Sequence, residues 1–184
     1  MTEAEPNGYP SPSPVTFPRG GSERPVVART RIEQLGQRPD LLPTVAAWIY
    51  KEWWSGIAEE TLESLTGKLG AHLTHDRIPV TLVASLEHRP VGTVTLLDHD
   101  VGTEQWPERS PWLAALYVVP AYRQRGIGAV LVNAAAAKAT ALGVGTLYLA
   151  TTGREEFYAR LGWEITDRAD ELVVMSKHTG YGVR

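Results

Sequence analysis

Cysteine is absent from this chain, and so are several other features that would define a class of function. Its 184 residues contain no cysteine, which excludes disulfides, thiolate metal sites and a cysteine nucleophile. The 18 basic and 21 acidic residues leave a formal net charge of -3, so we predict binding neither to nucleic acid nor to an anionic membrane. No apolar run reaches the roughly 18 residues of a membrane span, and the first residues lack the pattern of a signal peptide. We therefore expect a cytoplasmic protein.

The first 25 residues differ in composition from the rest of the chain. They hold six of the 13 prolines, together with Gly20, Gly21 and several serines. Such a segment has too little apolar surface to offset the entropy lost on ordering. We predict a disordered tail over residues 1–25 and one folded domain over residues 26–184. An extended arm, anchored on the domain by Tyr9 and Phe17, is the alternative.

The pattern of apolar residues after position 25 alternates between strand and helix periods. It predicts strands over residues 26–35, 79–86, 91–97, 113–119, 146–150, 163–165 and 172–175. It predicts helices over residues 43–53, 59–73, 125–142 and 154–161. The strand over 113–119 is apolar throughout, so we expect it to be buried on both faces. The inner face of the longest helix is predicted to comprise Ile127, Val130, Leu131, Ala134, Ala137 and Ala141. The order of elements predicts a mixed α/β domain.

A short basic loop with two glycines joins the fourth predicted strand to the longest helix. The first amides of a helix have no partner within it, so such a start is a site for anions. Gly126 and Gly128 let a phosphate approach the main chain closely, and Arg123 and Arg125 add positive charge. No Gly-Lys-Ser/Thr follows, and no third glycine, so neither common nucleotide fingerprint is present. The residues alone predict a phosphate-bearing ligand, or else a basic helix start without one.

Two segments together resemble the GNAT (N-acetyltransferase) superfamily. Arg123-Gln-Arg-Gly126-Ile-Gly128 matches the Arg/Gln-x-x-Gly-x-Gly/Ala signature of that family. Downstream, Phe157-Tyr158-Ala-Arg-Leu-Gly162-Trp163 resembles its Phe-Tyr-x-x-x-Gly-aromatic segment. The resemblance implies a GNAT fold: a mixed, mostly antiparallel sheet of about six or seven strands, splayed between strands 4 and 5 and flanked by about four helices. It also implies acetyl-CoA as co-substrate.

The resemblance also implies roles for individual residues. Main-chain groups of Tyr117, Val118 and Val119 would pair with the pantetheine arm like an added strand. Tyr158 would lie near the thioester sulfur and protonate it on leaving; aromatic packing is the alternative. A homodimer is implied as well. The pyrophosphate would be held by the loop, that is, by Arg123, Gln124, Arg125, Gly126, Ile127, Gly128 and Ala129.

The sequence departs from the family at the catalytic base. Many relatives carry a carboxylate on strand 4, where this chain has an apolar run from Trp112 to Leu116. A base would have to come from the preceding connection or act through water. The carboxylates of that connection are Asp98, Asp100, Glu104 and Glu108.

Aromatic residues mark the predicted acceptor side. We predict that Trp54 and Trp112 contact the acceptor, and that Trp48 and Trp53 are at least as well explained by core packing. His72 and His75 lack the further ligands of a metal site, so we predict none. The predicted function is transfer of the acetyl group of acetyl-CoA to a primary amine of a small molecule or peptide. The alternative is a non-catalytic acyl-CoA sensor or interaction module.

Overall fold

A computed structural model describes residues 25–57 and 60–180 of the chain. The predicted disordered tail therefore lies, apart from Pro25, outside the described residues. Within the described part, no helix has both the length and the apolar character that crossing a membrane requires.

The described residues form a seven-stranded sheet and five α-helices. The strands are β1 Thr30–Gln34, β2 Val80–Leu86, β3 Arg89–Leu97, β4 Trp112–Val118, β5 Thr146–Thr151, β6 Glu164–Ala169 and β7 Leu172–His178. The helices are α1 Val26–Arg29, α2 Leu42–Ile49, α3 Leu62–Gly70, α4 Ile127–Ala141 and α5 Glu155–Ala159. Helix α2 continues directly into a π-helical segment, Tyr50–Trp54.

The strands lie in the order β1-β2-β3-β4-β5-β7-β6. Neighbours are antiparallel except β4 and β5, which are parallel and pair in register only at Trp112 and Tyr148. Beyond that pair the two strands separate. This confirms the predicted fold class, a mixed and mostly antiparallel sheet that splays between its fourth and fifth strands.

Both faces of the sheet are covered by helices. One apolar cluster joins α4, through Ile127 and Leu131, to side chains of the sheet such as Leu82 and Val91. A second cluster packs α2 and α3 on the opposite face, through Val45 and residues of α3. Strand β2, second from one edge of the sheet, is buried along its whole length because it lies between these two layers. The groove described below opens where the covering of β4 ends.

Two local predictions about the strands were wrong. The segment over residues 26–35 is not one strand: it begins as helix α1, in which the Ala28 N–H donates to the Pro25 carbonyl and Thr30 Oγ1 donates to the Val26 carbonyl. These local hydrogen bonds give the backbone an alternative to the sheet ladder. Strand β4 is buried only over its first three residues, and the rest is partly exposed.

The predicted inner face of the longest helix was also only partly right. Ile127 and Leu131 are buried, but Ala137 is exposed, and Val132, Ala135 and Ala139 are buried instead. Alanines occur on every side of this helix, so the pattern of apolar residues contains little information about which side faces the sheet. The predicted hairpin of β2 and β3 is confirmed, with a turn at Glu87 and His88.

Candidate active site

A β-bulge in β4 opens the groove between β4 and β5. Thr95 pairs with Ala114 and Thr93 with Tyr117, so two residues of β4, Ala115 and Leu116, lie opposite one residue of β3. Ala115 takes a positive φ of 50° there. A bulge bends its strand and increases the local twist, and this bend turns β4 away from β5. The resulting groove has a volume of about 740 Å³ and lies between residues 113–116 and residues 150–152.

The loop that precedes α4 presents its main chain in the way an anion site requires. Gly126 has a φ of +82° and caps the helix, and the first helical amide with a main-chain acceptor is that of Val130. Among described residues, no backbone carbonyl accepts from the amides of Gly126, Ile127, Gly128 or Ala129. These four donors at a helix N-terminus fit a phosphate or diphosphate group.

The two glycines of the loop differ in how tightly they are surrounded. A β-carbon on Gly126 would lie 2.8 Å from Val27 Cγ2, and the φ of this glycine is one that side chains disfavour. A β-carbon on Gly128 would lie at an ordinary 3.5 Å from the ring of Phe157. The Phe157 ring in turn lies 4.9 Å from the Tyr158 ring, centroid to centroid. One aromatic side chain thus connects the loop to Tyr158.

Arg123 is directed at the end of β4 rather than at the mouth of the helix. Its Nε donates to the Val118 carbonyl at 2.9 Å, its guanidinium lies 5.6 Å from the centroid of the Tyr117 ring, and Nη2 lies 3.7 Å from Glu52 Oε2. The Val119 N–H donates to the Val91 carbonyl. Two of the main-chain groups expected to pair with an extended ligand are therefore already engaged, and Arg123 joins the strand end to the π-helical segment.

Tyr158 lines the groove from the α5 side. It is only 8% exposed and packs edge-to-face against Phe157 and Trp163. Burial raises the pKa of Tyr158 to about 12, partly opposed by the charge of Arg154. The hydroxyl is therefore protonated at any ordinary pH. Within the described chain this hydroxyl makes no hydrogen bond, so it is available as a donor to a bound group.

Of the two tryptophans predicted to contact the acceptor, only one lines the groove. Trp54 lines the groove, next to Trp53, which is 44% exposed. Trp112 is 1% exposed, packs against Tyr148 at 5.7 Å and donates its indole N–H to the Arg109 carbonyl. Trp112 is thus a core residue that supports the start of β4 and does not line the groove. The sequence could not show this because the burial of a tryptophan depends on residues that are distant in the chain.

Sequence reasoning did not single out the polar groups that line the groove. Of the four carboxylates in the connection before β4, Asp100 lines it, whereas Asp98 and Glu108 are exposed. Burial raises the pKa of Asp100, and the nearby charge of Glu104 adds to this. His72, considered above only as a metal ligand, also lines the groove. Its one available signal was its position in the last turn of the helix predicted over residues 59–73, which in the structure ends at Gly70.

His72 belongs to a short chain of hydrogen bonds that runs into the sheet. Its Nδ1 lies 3.0 Å from Thr81 Oγ1, which lies 2.9 Å from Thr95 Oγ1. Both threonines are buried, and Thr95 itself lines the groove. Burial lowers the pKa of His72 to about 4. The ring is therefore neutral at pH 7 and fixed in position by Thr81.

The connection that carries Asp100 is tied to the far edge of the sheet. Asp167 on β6 accepts hydrogen bonds from Trp106 Nε1 at 2.9 Å and from Arg109 Nη2 at 3.1 Å. The Arg109 guanidinium also lies 5.8 Å from the centroids of the Trp106 and Tyr148 rings. Hydrogen bonds and ion pairing lower the pKa of Asp167. These contacts give the long connection an ordered conformation and so position one wall of the groove.

A bulged and splayed β4–β5 pair, followed by a helix whose first amides have no main-chain acceptor among described residues, is the class of fold that the sequence resemblance predicts. Comparison with known families agrees. The family model described as the acetyltransferase (GNAT) family matches residues 45–163. This match covers more than half of the chain. The chain belongs to the GNAT family of acetyltransferases.

Solved structures with the same fold are similar over most of their length. An aminoglycoside 6'-N-acetyltransferase complexed with coenzyme A is 17% identical, with a TM-score of 0.62 over 81% of this chain and 97% of that one. A GNAT-family acetyltransferase from Streptococcus pneumoniae is 18% identical, with a TM-score of 0.59 over 82% and 99%.

The PaiA N-acetyltransferase from Thermoplasma acidophilum, in complex with coenzyme A, is 21% identical, with a TM-score of 0.58 over 81% and 98%. At these identities the similarity establishes the fold. No curated protein matches this sequence significantly.

Proposed function

We propose that this protein transfers the acetyl group of acetyl-CoA to a primary amine, with both substrates bound at once. One observation carries the proposal: a helix N-terminus with four available amides and a buried phenol, Tyr158, are connected through Phe157 beside the splayed strands. The family membership and the coenzyme A complexes of similar structures support it.

The residues around the loop fit the diphosphate of coenzyme A. The amides of Gly126 to Ala129 would hold the phosphates, and neither Gly126 nor Gly128 places a side chain beside them. The arm that follows would lie along the edge of β4 that faces β5, because β5 pairs with that edge only at Trp112. When bound, acetyl-CoA supplies an acetyl group activated as a thioester.

The amine must be neutral to react, and this requirement sets the demands on the groove. Deprotonating an amine of pKa about 10.4 at pH 7 costs about 4.6 kcal/mol, against about 1 kcal/mol for an α-amino group. Among the described lining residues, Asp100 and His72 are two that can accept the proton or a hydrogen bond. Burial raises the pKa of Asp100, which makes its carboxylate a stronger base than that of an exposed aspartate.

Tyr158 lines the groove as a protonated hydroxyl that can donate a hydrogen bond to the departing sulfur. The pKa of Tyr158 is about 12, while that of a thiol is about 8.5, so complete proton transfer would be uphill by roughly 5 kcal/mol. We therefore revise the expected role of Tyr158, which was to protonate the departing sulfur. We infer that Tyr158 stabilises the charge developing on sulfur chiefly by donating a hydrogen bond, and that the final proton comes from water.

Two measurements on one preparation test the proposal. Calorimetry with CoA reports binding, and release of free thiol from acetyl-CoA with a panel of primary amines reports transfer. We expect both signals, and a Tyr158→Phe variant that binds CoA normally but turns over slowly. Binding without amine-dependent thiol release would instead support the sensor alternative, which the lack of a carboxylate on β4 favours. The implied homodimer stays a prediction, to be checked by light scattering.

A further inference from the structure

The side of the groove away from β5 is a largely apolar surface. We call it the acceptor pocket; it is lined by Trp53, Trp54, Ile57, Leu65, Leu69 and Val101. Trp53, Ile57 and Val101 are exposed by 44%, 47% and 69%. Large apolar side chains that surround one opening are typical of a binding surface for an apolar group. The acceptor pocket therefore offers its ligand mainly contact with aromatic and aliphatic carbon.

Charge in the groove is scarce and nearly balanced. Among described lining residues the sole carboxylate is that of Asp100, and the sole permanently charged cation is Arg154. His72 is neutral at pH 7, since burial lowers its pKa to about 4. One oxygen of Asp100 accepts from the Val101 N–H at 2.9 Å. The groove can thus offer a counter-charge to one ammonium group, but not to several.

This arrangement discriminates between amines by the number of their charges. An ammonium group that leaves water needs a counter-charge or hydrogen-bond acceptors. A polyamine or an aminoglycoside would bring several cations against Trp53, Trp54 and Leu69 and would also face Arg154. A monoamine brings a single cation, to which Asp100 can supply the counter-charge. The faces of Trp53 and Trp54 add a cation–π attraction.

We propose that the acceptor is a primary monoamine with an aryl or alkyl body, which lies in the acceptor pocket while its nitrogen faces Asp100. This inference rests on the proposed function. Starting from the ammonium form, the amine gives up one proton to the medium and a second as it is acylated. One N–C bond forms, the C–S bond breaks, the sulfur leaves as a thiol, and one proton is released overall.

The first test compares amines on the wild-type protein. The panel is 2-phenylethylamine, hexylamine, spermidine, kanamycin and a short peptide with a free N-terminus, each assayed by thiol release from acetyl-CoA. We expect kcat/KM for the two apolar monoamines to exceed the values for spermidine and kanamycin at least tenfold. Equal or higher values for a polycation, or for the peptide, would overturn the inference while leaving the transferase proposal intact.

Two matched pairs of variants test the location. Ile57 and Ile165 are both 47% exposed, but only Ile57 lines the acceptor pocket. We expect Ile57→Ala to raise KM for 2-phenylethylamine about threefold to tenfold and Ile165→Ala to leave it unchanged. Asp100→Asn should raise KM at least tenfold, whereas Asp170→Asn, at an exposed turn residue, should not. Equal effects within either pair would contradict the placement.

A binding measurement separates failure of this inference from failure of the proposed function. Calorimetric titration of 2-phenylethylamine and of spermidine into the protein saturated with CoA needs no turnover. If no amine is acetylated but 2-phenylethylamine binds at least tenfold tighter, the inference stands and the transferase proposal fails. If neither acetylation nor this preference is seen, both fail.

Discussion

Gly126 offers the sharpest test of the loop, because two substitutions there introduce the same backbone strain but only one of them adds a charge. The residue caps α4 at a φ of +82°, and its amide is one of the four available donors. Gly126→Asp places a carboxylate at the mouth where we propose that a diphosphate binds. Gly126→Asn has the same shape and is also tolerated at positive φ, but it carries no charge. Comparing the two variants isolates the electrostatic effect.

The two costs can be estimated separately. A residue other than glycine in this conformation costs about 1–2 kcal/mol, and Asn and Asp lie at the low end of this range. The contact with Val27 Cγ2 at 2.8 Å adds little, since that methyl belongs to a side chain that is 47% exposed and can rotate. Two like charges about 4 Å apart repel by about 4 kcal/mol at an effective dielectric constant of about 20. Half of that value would weaken binding roughly 30-fold.

Calorimetry with CoA, together with thermal unfolding, checks this reasoning. We expect Gly126→Asp to lose detectable CoA binding, and Gly126→Asn to bind within about fivefold of the wild type. Both should unfold only about 2–4 °C lower for each 1 kcal/mol lost. Gly180→Asp is the control for strain alone, since Gly180 has a φ of +81° with open space around it. Unchanged CoA affinity in a folded Gly126→Asp variant would refute the loop as the phosphate site.

Three further outcomes are expected elsewhere in the molecule. Tyr158→Phe should lower kcat at least tenfold with little change in the Kd for CoA, and equal turnover in the variant would remove Tyr158 from the mechanism. Because the pKa of Tyr158 is about 12, loss of its proton should not lower the wild-type kcat below about pH 11. The pKa of His72 is about 4 in the folded protein and about 6.5 in the unfolded chain. Its contribution to the free energy of unfolding is therefore complete above pH 6.5 and is lost as the pH falls towards 4, by at most about 1.4 kcal/mol per pH unit. Urea unfolding at pH 7 and pH 5 should show that the free energy of unfolding depends less on pH in His72→Gln than in the wild type. An equal pH dependence in the two proteins would contradict this. Asp167→Asn should cost about 1 kcal/mol and speed hydrogen exchange over residues 98–111, whereas Asp170→Asn should do neither.

Features set by contiguous residues could be predicted from the sequence. The loop before α4 is encoded by glycines at fixed offsets beside a long helix, so its place in the fold and its available amides followed from local rules. The hairpin at His88 and the segment around Tyr158 were also found in this way, because each depends on residues close together in the chain. The order of seven predicted strands and four predicted helices was enough to predict the fold class, although their ends shifted by a few residues.

Whether a given side chain reaches the site was decided by packing between distant elements. The bulge at Ala115 depends on how β4 pairs with β3, and an alanine carries no local signal for a positive φ. Trp112 is buried and packs against Tyr148, whereas Trp54 lies at the end of the π-helical segment and lines the groove.

The choice of Asp100 among four carboxylates was likewise made by tertiary contacts. Asp167, far along the chain, holds the connection through Trp106 and Arg109. The sequence by itself thus determined the fold class and the position of the loop before α4, because both follow from patterns of residues that are close together in the chain. Only the tertiary structure decided which side chains form the acceptor pocket, because that depends on the register and curvature of strands that are far apart in the sequence.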